Sequence, residues 1–242
     1  MFRLPSALAF LLVLGLNVGQ VAGAQLRLGE NLSEAEFASL ADALGDAIAF
    51  PLLSIAAPLG ALGFEAIASV GGPTASGSAG WWRNGVDGSP TLGVMPARRL
   101  VVRKGFPART GVGLQAGQAL DQAFWGLEGR WTLLEGGILV PSVTVRGSHS
   151  RFLSSPVGVE VSEVGITVSK GLILVTPYAG VSYRWTRAEG AWGTESLLLA
   201  HHRSERVVAT VGARMALGPA FVVAEGFQGS RRGILVGIGV RL

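Results

Sequence analysis

From Arg232 to Leu242 apolar residues take every second position, with Ile234, Val236, Ile238, Val240 and Leu242 on one face and Gly233, Leu235, Gly237, Gly239 and Arg241 on the other. Only an extended strand has a two-residue period, so this stretch predicts a β-strand. The alternation first appears near Leu59, where Leu62, Phe64, Ala66, Ala68 and Val70 oppose Gly63, Glu65 and Ser69. Comparable runs cover 98–104, 109–117, 124–135, 138–148, 157–170, 172–186, 206–217, 220–228 and 232–242. With 59–70 they make about ten. Lengths near ten residues suit tilted strands that cross a membrane, which need about 9 to 11, and an even number returns both ends of a barrel to one side. The pattern predicts an all-β fold, an antiparallel transmembrane β-barrel over 59–242, with eight or twelve strands as alternatives.

The connections give a test independent of hydropathy. Longer links are expected at 71–97, 118–123, 149–156 and 187–205, and tight turns at 105–108, 136–137, 170–171 and 218–219. That alternation matches barrels with short periplasmic turns and long outer loops. Each strand also separates its faces: Ile173, Val175, Ala179, Val181, Tyr183 and Trp185 oppose Thr176, Tyr178, Ser182 and Arg184. The first set would meet lipid, with Trp125, Trp131, Tyr183 and Trp185 as interfacial aromatics, and the second would line a narrow interior.

Ahead of the barrel, Ser33 and Glu36 have the spacing of a capping box, and Phe37, Leu40, Ala41, Leu44 and Ile48 recur at helical intervals. A helix is expected within 31–50, in an amino-terminal segment 25–58. It could plug the barrel mouth, lie on the periplasmic membrane surface, or act as an amphipathic spacer. Residues 1–24 read as an export signal: Arg3 gives a basic start, 7–16 form an apolar core, and Ala22 and Ala24 supply the small residues before a cleavage site. The apolar core is too short to span about 30 Å of hydrocarbon.

Composition narrows the class further. Glycine is abundant, at 36 of 242 residues, and only 15% of residues are charged, while mean hydropathy is +0.45. Beyond the signal only 47–64 is a long run without charge, and Pro51, Pro58, Gly60 and Gly63 interrupt it, which argues against helical spans. Cysteine is absent, so disulfides, thiolate metal sites and a lipid-anchored cysteine are excluded. The 20 lysines and arginines, of which only Lys104 and Lys170 are lysine, are scattered, with no basic tract for nucleic acid.

The segments Leu139-Val-Pro-Ser-Val-Thr-Val-Arg-Gly-Ser148, Val168-Ser-Lys-Gly171 and Thr176-Pro-Tyr-Ala-Gly-Val181 resemble a group of poorly characterised bacterial outer-membrane β-barrel proteins of porin-like type. The resemblance covers roughly 59–186 and rests on strand and turn motifs. It implies a bacterial outer-membrane location, outer-membrane lipid as surroundings, and recognition by the barrel-assembly machinery through a carboxyl-terminal signal at Val236, Ile238, Val240 and Leu242. Members of the group usually end in an aromatic residue, whereas this chain ends in Leu242.

Alternation places Glu65, Arg99, Arg103, Arg109, Glu128, Arg130, Arg146, Glu163, Arg184, Arg206, Arg214, Glu225 and Arg241 on the lumen face. Two readings follow: a ladder of Arg and Glu groups satisfying one another, or a positively biased passage for small anionic solutes. The function expected is a non-enzymatic barrel, either a passive conduit or a structural one, with a surface or adhesive role as alternative. Outward loops 71–97 and 187–205 are the candidate contact surfaces, and the Trp81 and Trp82 stretch of the first could touch lipid headgroups or a partner, or fold over the mouth. A lipid-modifying hydrolase is the less favoured alternative. His149 and Ser150, with Glu160 and Glu163 one strand away, supply the residue types, but neighbours on a strand point to opposite faces. Asp42, Asp46, Asp87 and Asp121 are too dispersed for an acid-lined protease rim. His201 and His202 lack the further ligands of a metal site, so no metal or cofactor is expected.

Overall fold

A computed structural model describes residues 24–242 apart from 91–92, 138–139, 154–156 and 193–197. The export signal at 1–24 falls almost wholly outside the described residues. Ten strands form a closed antiparallel barrel: β2 (Phe64–Pro73), β4 (Ala97–Phe106), β5 (Thr110–Ala119), β6 (Gln122–Leu134), β7 (Ser142–Phe152), β8 (Val157–Ser169), β9 (Val175–Trp192), β10 (Leu198–Leu217), β11 (Ala220–Gln228) and β12 (Arg232–Arg241). The carboxyl-terminal strand closes it, with Val236 opposite Val70 and Arg241 opposite Glu65. The remaining elements are β1 (Gln25–Leu26), α1 (Glu34–Ile48), α2 (Gly80–Gly85) and β3 (Val86–Asp87).

Side chains alternate through the wall as the pleat requires. Leu114, Leu127, Ile166, Val181, Val211, Val236 and Ile238 are exposed on the outer face, while Arg103, Glu128, Tyr178, Phe221, Val223 and Leu235 are buried inside. The glycines on the inner face of β12 make room for rings. A Cβ at Gly239 would collide with Phe221, and one at Gly233 with Phe227. Gly212 of β10 is likewise covered by Tyr178.

Several boundaries differ from the sequence expectation. The first strand begins at Phe64 rather than 59, because Gly60, at φ 79°, turns the chain and its carbonyl accepts the Gly63 amide. The link expected over 118–123 is a two-residue turn. Leu120 and Asp121 both have positive φ, 49° and 60°, the geometry that joins twisted strands most tightly. Most of the loop expected at 187–205 is instead strand, over 187–192 and 198–205, since β9 and β10 stay paired to Trp192 and Leu198. Within 74–96, Trp81 and Trp82 are buried rather than presented outward. The Trp82 indole donates to the Gly88 carbonyl at 2.8 Å, and the Arg231 guanidinium lies 4.4 Å from the Trp81 ring centre.

The amino-terminal segment runs through the barrel. β1 pairs with β3 in the link between β2 and β4, at the end opposite Leu242. Ser33 caps α1, with reciprocal bonds to and from Glu36, and the helix then descends inside the wall. Its Phe37, Leu40, Ala41, Leu44 and Ile48 pack with Phe124, Phe152, Val157, Val159 and Val161. Below it Phe50, Leu52 and Leu53 pack with Ile67, Val101, Tyr178 and Phe221. The chain leaves at the far end, where the Phe64 amide donates to the Leu242 carbonyl. Of a mouth plug, a surface helix and a spacer, the plug is the placement nearest to this one, with the helix packed inside the wall.

Candidate functional site

The interior is organised by a belt of alternating charge. Arg214 donates to Glu65 at 2.6 Å, Arg103 reaches Glu65 at 3.5 Å and Glu128 at 2.8 Å, and Arg146 reaches Glu128 at 3.2 Å. Arg146 also bonds Glu163, Arg184 bonds Glu163 at 2.7 Å, and Arg184 ends the series on Asp46 of α1 at 2.6 Å. Four cations meet four anions. Gly113 of β5 stands between Arg103 and Glu128, and its missing side chain lets the two meet across that strand. Asp46 also accepts from the Ser230 hydroxyl and, at 3.1 Å, from the Arg231 amide, so one carboxylate ties the helix to β9 and to the β11–β12 turn.

The second layer of the site concerns backbone. After Ile48 the chain is irregular and mostly buried, and buried carbonyls and amides need hydrogen-bond partners. The wall provides them. Arg99 donates to the carbonyls of Ala47 and Ala49, Gln115 to Ile48, Arg146 to Phe50, and Arg103 to Pro51 and Leu52. Arg130 donates to Ile55 and to the Ser54 hydroxyl, Thr132 and Thr144 to Ala56, and Arg241 to Pro58. In the other direction Glu225 accepts the Leu52 and Leu53 amides at 3.3 and 2.6 Å, together with the Tyr178 hydroxyl at 2.9 Å. The Ser169 hydroxyl accepts the Ala56 amide. The excess of arginine over glutamate on the inner face is therefore matched by main-chain oxygens.

Of the thirteen charged residues assigned to the lumen from sequence, Glu65, Arg99, Arg103, Glu128, Arg146, Glu163, Arg184, Arg214 and Glu225 are buried inside. Arg130, Arg206 and Arg241 also point inward, to Ile55, Asp42 and Pro58 in turn. Arg109 is a correction: it lies in the turn between β4 and β5 at φ 59°, half exposed, and pairs with Glu135 at 3.4 Å. A residue in a tight turn does not obey strand alternation. Val236 and Ile238 of the carboxyl-terminal strand are exposed on the outer face, Val240 is partly buried there, and Leu242 follows the strand.

Asp42 and Asp46, one helical turn apart, are the groups that sequence reasoning missed. Asp42 accepts from His202 at 3.0 Å, Ser204 at 2.7 Å and Arg206 at 2.6 Å, all from β10. Two acids on the polar side of an otherwise apolar helix were the available signal. Outside the strands, the Ser33 amide and the Asn84 side chain donate to Glu36 and hold its carboxyl below the ordinary glutamate range.

The residues weighed for catalysis separate. Ser150 faces inward and accepts from Gln115 at 2.9 Å, whereas His149 faces outward and lies 3.0 Å from Ser162 on β8. Glu163 is in the internal belt, and Glu160 pairs with Arg151 outside. His202 turns inward to Asp42, while His201 sits on the opposite face, 3.6 Å from Glu189. Among the described residues no three His, Asp or Glu side chains converge as metal ligands.

No protein-family model and no curated protein sequence matches the chain. Solved structures of bacterial outer-membrane barrels are similar to it. The outer-membrane protease OmpT of Escherichia coli has 10% identity and a TM-score of 0.40, over 74% of this chain and 96% of that one. Ail, the attachment invasion locus protein of Yersinia pestis, has 11% identity and a TM-score of 0.36, over 74% and 97%. The amino-terminal barrel domain of OprF from Pseudomonas aeruginosa has 10% identity and a TM-score of 0.33, over 75% and 96%.

Proposed function

We propose that the chain is a bacterial outer-membrane barrel, exported by residues 1–24, sealed by its own residues 34–58, and working as a structural or surface barrel rather than as an open conduit. The apolar outer wall supports the location, since side chains such as Leu114, Ile166, Val211 and Val236 are exposed there and lipid would cover them. Outer-membrane lipid and the barrel-assembly machinery are the partners this reading requires.

One observation carries the sealed state: from Ala47 to Pro58, wall side chains hydrogen-bond main-chain atoms along almost the whole irregular segment. A passage for anions needs cations that face water. Here Arg103 and Arg146 are almost wholly buried against carboxylates and carbonyls. Planar-bilayer recording of the purified protein tests this. Long silent traces are expected at moderate voltage, and steady single-channel currents would overturn the reading.

A further inference from the structure

We propose that Ser162 and His149 form a nucleophile and base on the outer wall of the barrel and cleave the acyl ester of a lipid in the adjoining leaflet. The inference goes beyond the sealed barrel and departs from the non-enzymatic expectation. It requires the wall to lie in lipid and is indifferent to whether the lumen is closed.

The register creates the pair. His149 of β7 is directly opposite Ser162 of β8, and its Nδ1 is 3.0 Å from the Ser162 hydroxyl. A hydroxyl within hydrogen-bond reach of an imidazole is the minimal arrangement for activating a serine. Trp125 packs edge-on against His149, with ring centres 6.4 Å apart, and restrains the imidazole.

The surroundings divide by row in a way that fits an ester. Paired on the side toward the outer end are Trp125, Arg151, Glu160, Arg187 and Arg203. On the other side come Gly129, Gly147, Val164, Tyr183 and Val207, then Trp131, Val145, Ile166, Val181 and Ala209. Ser162 and His149 thus sit where charged residues give way to an apolar wall, and in a bilayer the ester groups occupy that level between headgroup and acyl chain. A groove of about 360 Å³ begins on the apolar side of Ser162, lined by Val145, Val164, Ile166, Val181, Tyr183 and Val207. It offers room for an acyl chain whose carbonyl would rest at the serine. Arg187 is opposite Glu160 and Arg203 in the register, but its guanidinium makes no ion pair or hydrogen bond with the described residues; it stands on the charged row diagonal to Ser162, within reach of a developing oxyanion or a headgroup phosphate.

The chemistry balances with water as the only co-reactant. Ser162 Oγ bonds to the ester carbonyl carbon as its proton passes to His149 Nδ1. Collapse of the tetrahedral intermediate breaks the carbon–oxygen bond to the alcohol, which leaves with that proton. Water from the headgroup layer then adds to the acyl-serine, with His149 again accepting a proton, and fatty acid departs as the serine hydroxyl is restored.

The test uses the full mature chain in vesicles of phosphatidylethanolamine and, separately, in vesicles that also contain an acylated glucosamine lipid of the lipid A type, with released fatty acid as the readout. Release only in the second set identifies the glycolipid as substrate, and release in both identifies a glycerophospholipid. Ser162→Ala and His149→Gln should each lower the rate by roughly a hundredfold or more, the usual contribution of a general base, while Ser76→Ala on the outer link should not. A fluorophosphonate probe should label wild-type protein at Ser162, a result that needs no variant to fold. No release by the wild type in either vesicle, or an unchanged rate in a folded Ser162→Ala protein, would overturn the proposal. Current measured across the same vesicles reports separately on the sealed lumen.

Discussion

Arg184 on β9 donates to Asp46 on α1 at 2.6 Å across 138 positions of sequence, and both side chains are almost wholly buried. This contact joins the wall's charge belt to the segment that fills it. An isolated buried pair adds little net stability, but removing Asp46 leaves Arg184 to share Glu163 with Arg146, one buried anion short. Asp46→Ala should therefore cost about 3–5 kcal/mol, since the Ser230 hydroxyl and Arg231 amide lose their acceptor as well. Urea unfolding of the refolded barrel measures it. A loss under about 0.5 kcal/mol, the range of ordinary surface changes, would show that the helix is not fastened there.

Glu225 makes a different connection, with backbone. Its carboxylate accepts two buried amides, Leu52 and Leu53, besides the Tyr178 hydroxyl. Glu225→Ala leaves those amides without an acceptor, at about 1–3 kcal/mol for each. Tyr178→Phe removes one donor from a carboxylate that keeps its amides, so it should cost less, about 1 kcal/mol. The ordering of the two variants is the check: equal losses would mean that the amides find other acceptors when the chain relaxes.

The inner-face glycines of β12 predict a steric effect that can be reversed. Gly239→Val sets a branched side chain against the Phe221 ring and should destabilise by about 1–3 kcal/mol, as overpacking does. Phe221→Leu in the same protein should recover part of that loss. A double-mutant cycle between positions 239 and 221 reads the coupling, and additive losses would place the strain elsewhere.

Much of this architecture was legible in local pattern, because the barrel repeats one rule: alternate side chains face apolar and polar surroundings. The run from Ile234 to Leu242 shows it, and the Ser33 and Glu36 spacing announced the cap of α1 within a residue or two. What escaped depended on contacts distant in sequence. Residues 49–58 carry no period of their own, since their hydrogen bonds go to Arg103, Arg146 and Arg130 on the wall. The pairing of His149 with Ser162 instead of proximity to Ser150 needed the β7–β8 register, which no single strand contains. Leu120 and Asp121 are ordinary residues in a left-handed turn, so nothing local marked 118–123 as tight.

The cap of α1 adds a pH dependence confined to one end of the molecule. The amide of Ser33 and the side chain of Asn84 donate to the Glu36 carboxylate, which holds its folded pKa below the ordinary value of 4.5. A depressed carboxylate stabilises the fold above its unfolded pKa, and that contribution is lost as pH falls through the folded value. Near neutral pH the cap is fully engaged. Acidification below the ordinary glutamate range should therefore loosen the first turn of α1 and its tie to Asn84. Amide exchange at Glu36 and Phe37 should rise relative to Leu44 as pH is lowered, after correction for intrinsic rates. Glu36→Gln should remove that pH-dependent difference, while Ser33→Ala should weaken the turn at every pH. Equal responses at Phe37 and Leu44 would mean that the helix opens as one unit, with the cap playing no separate part.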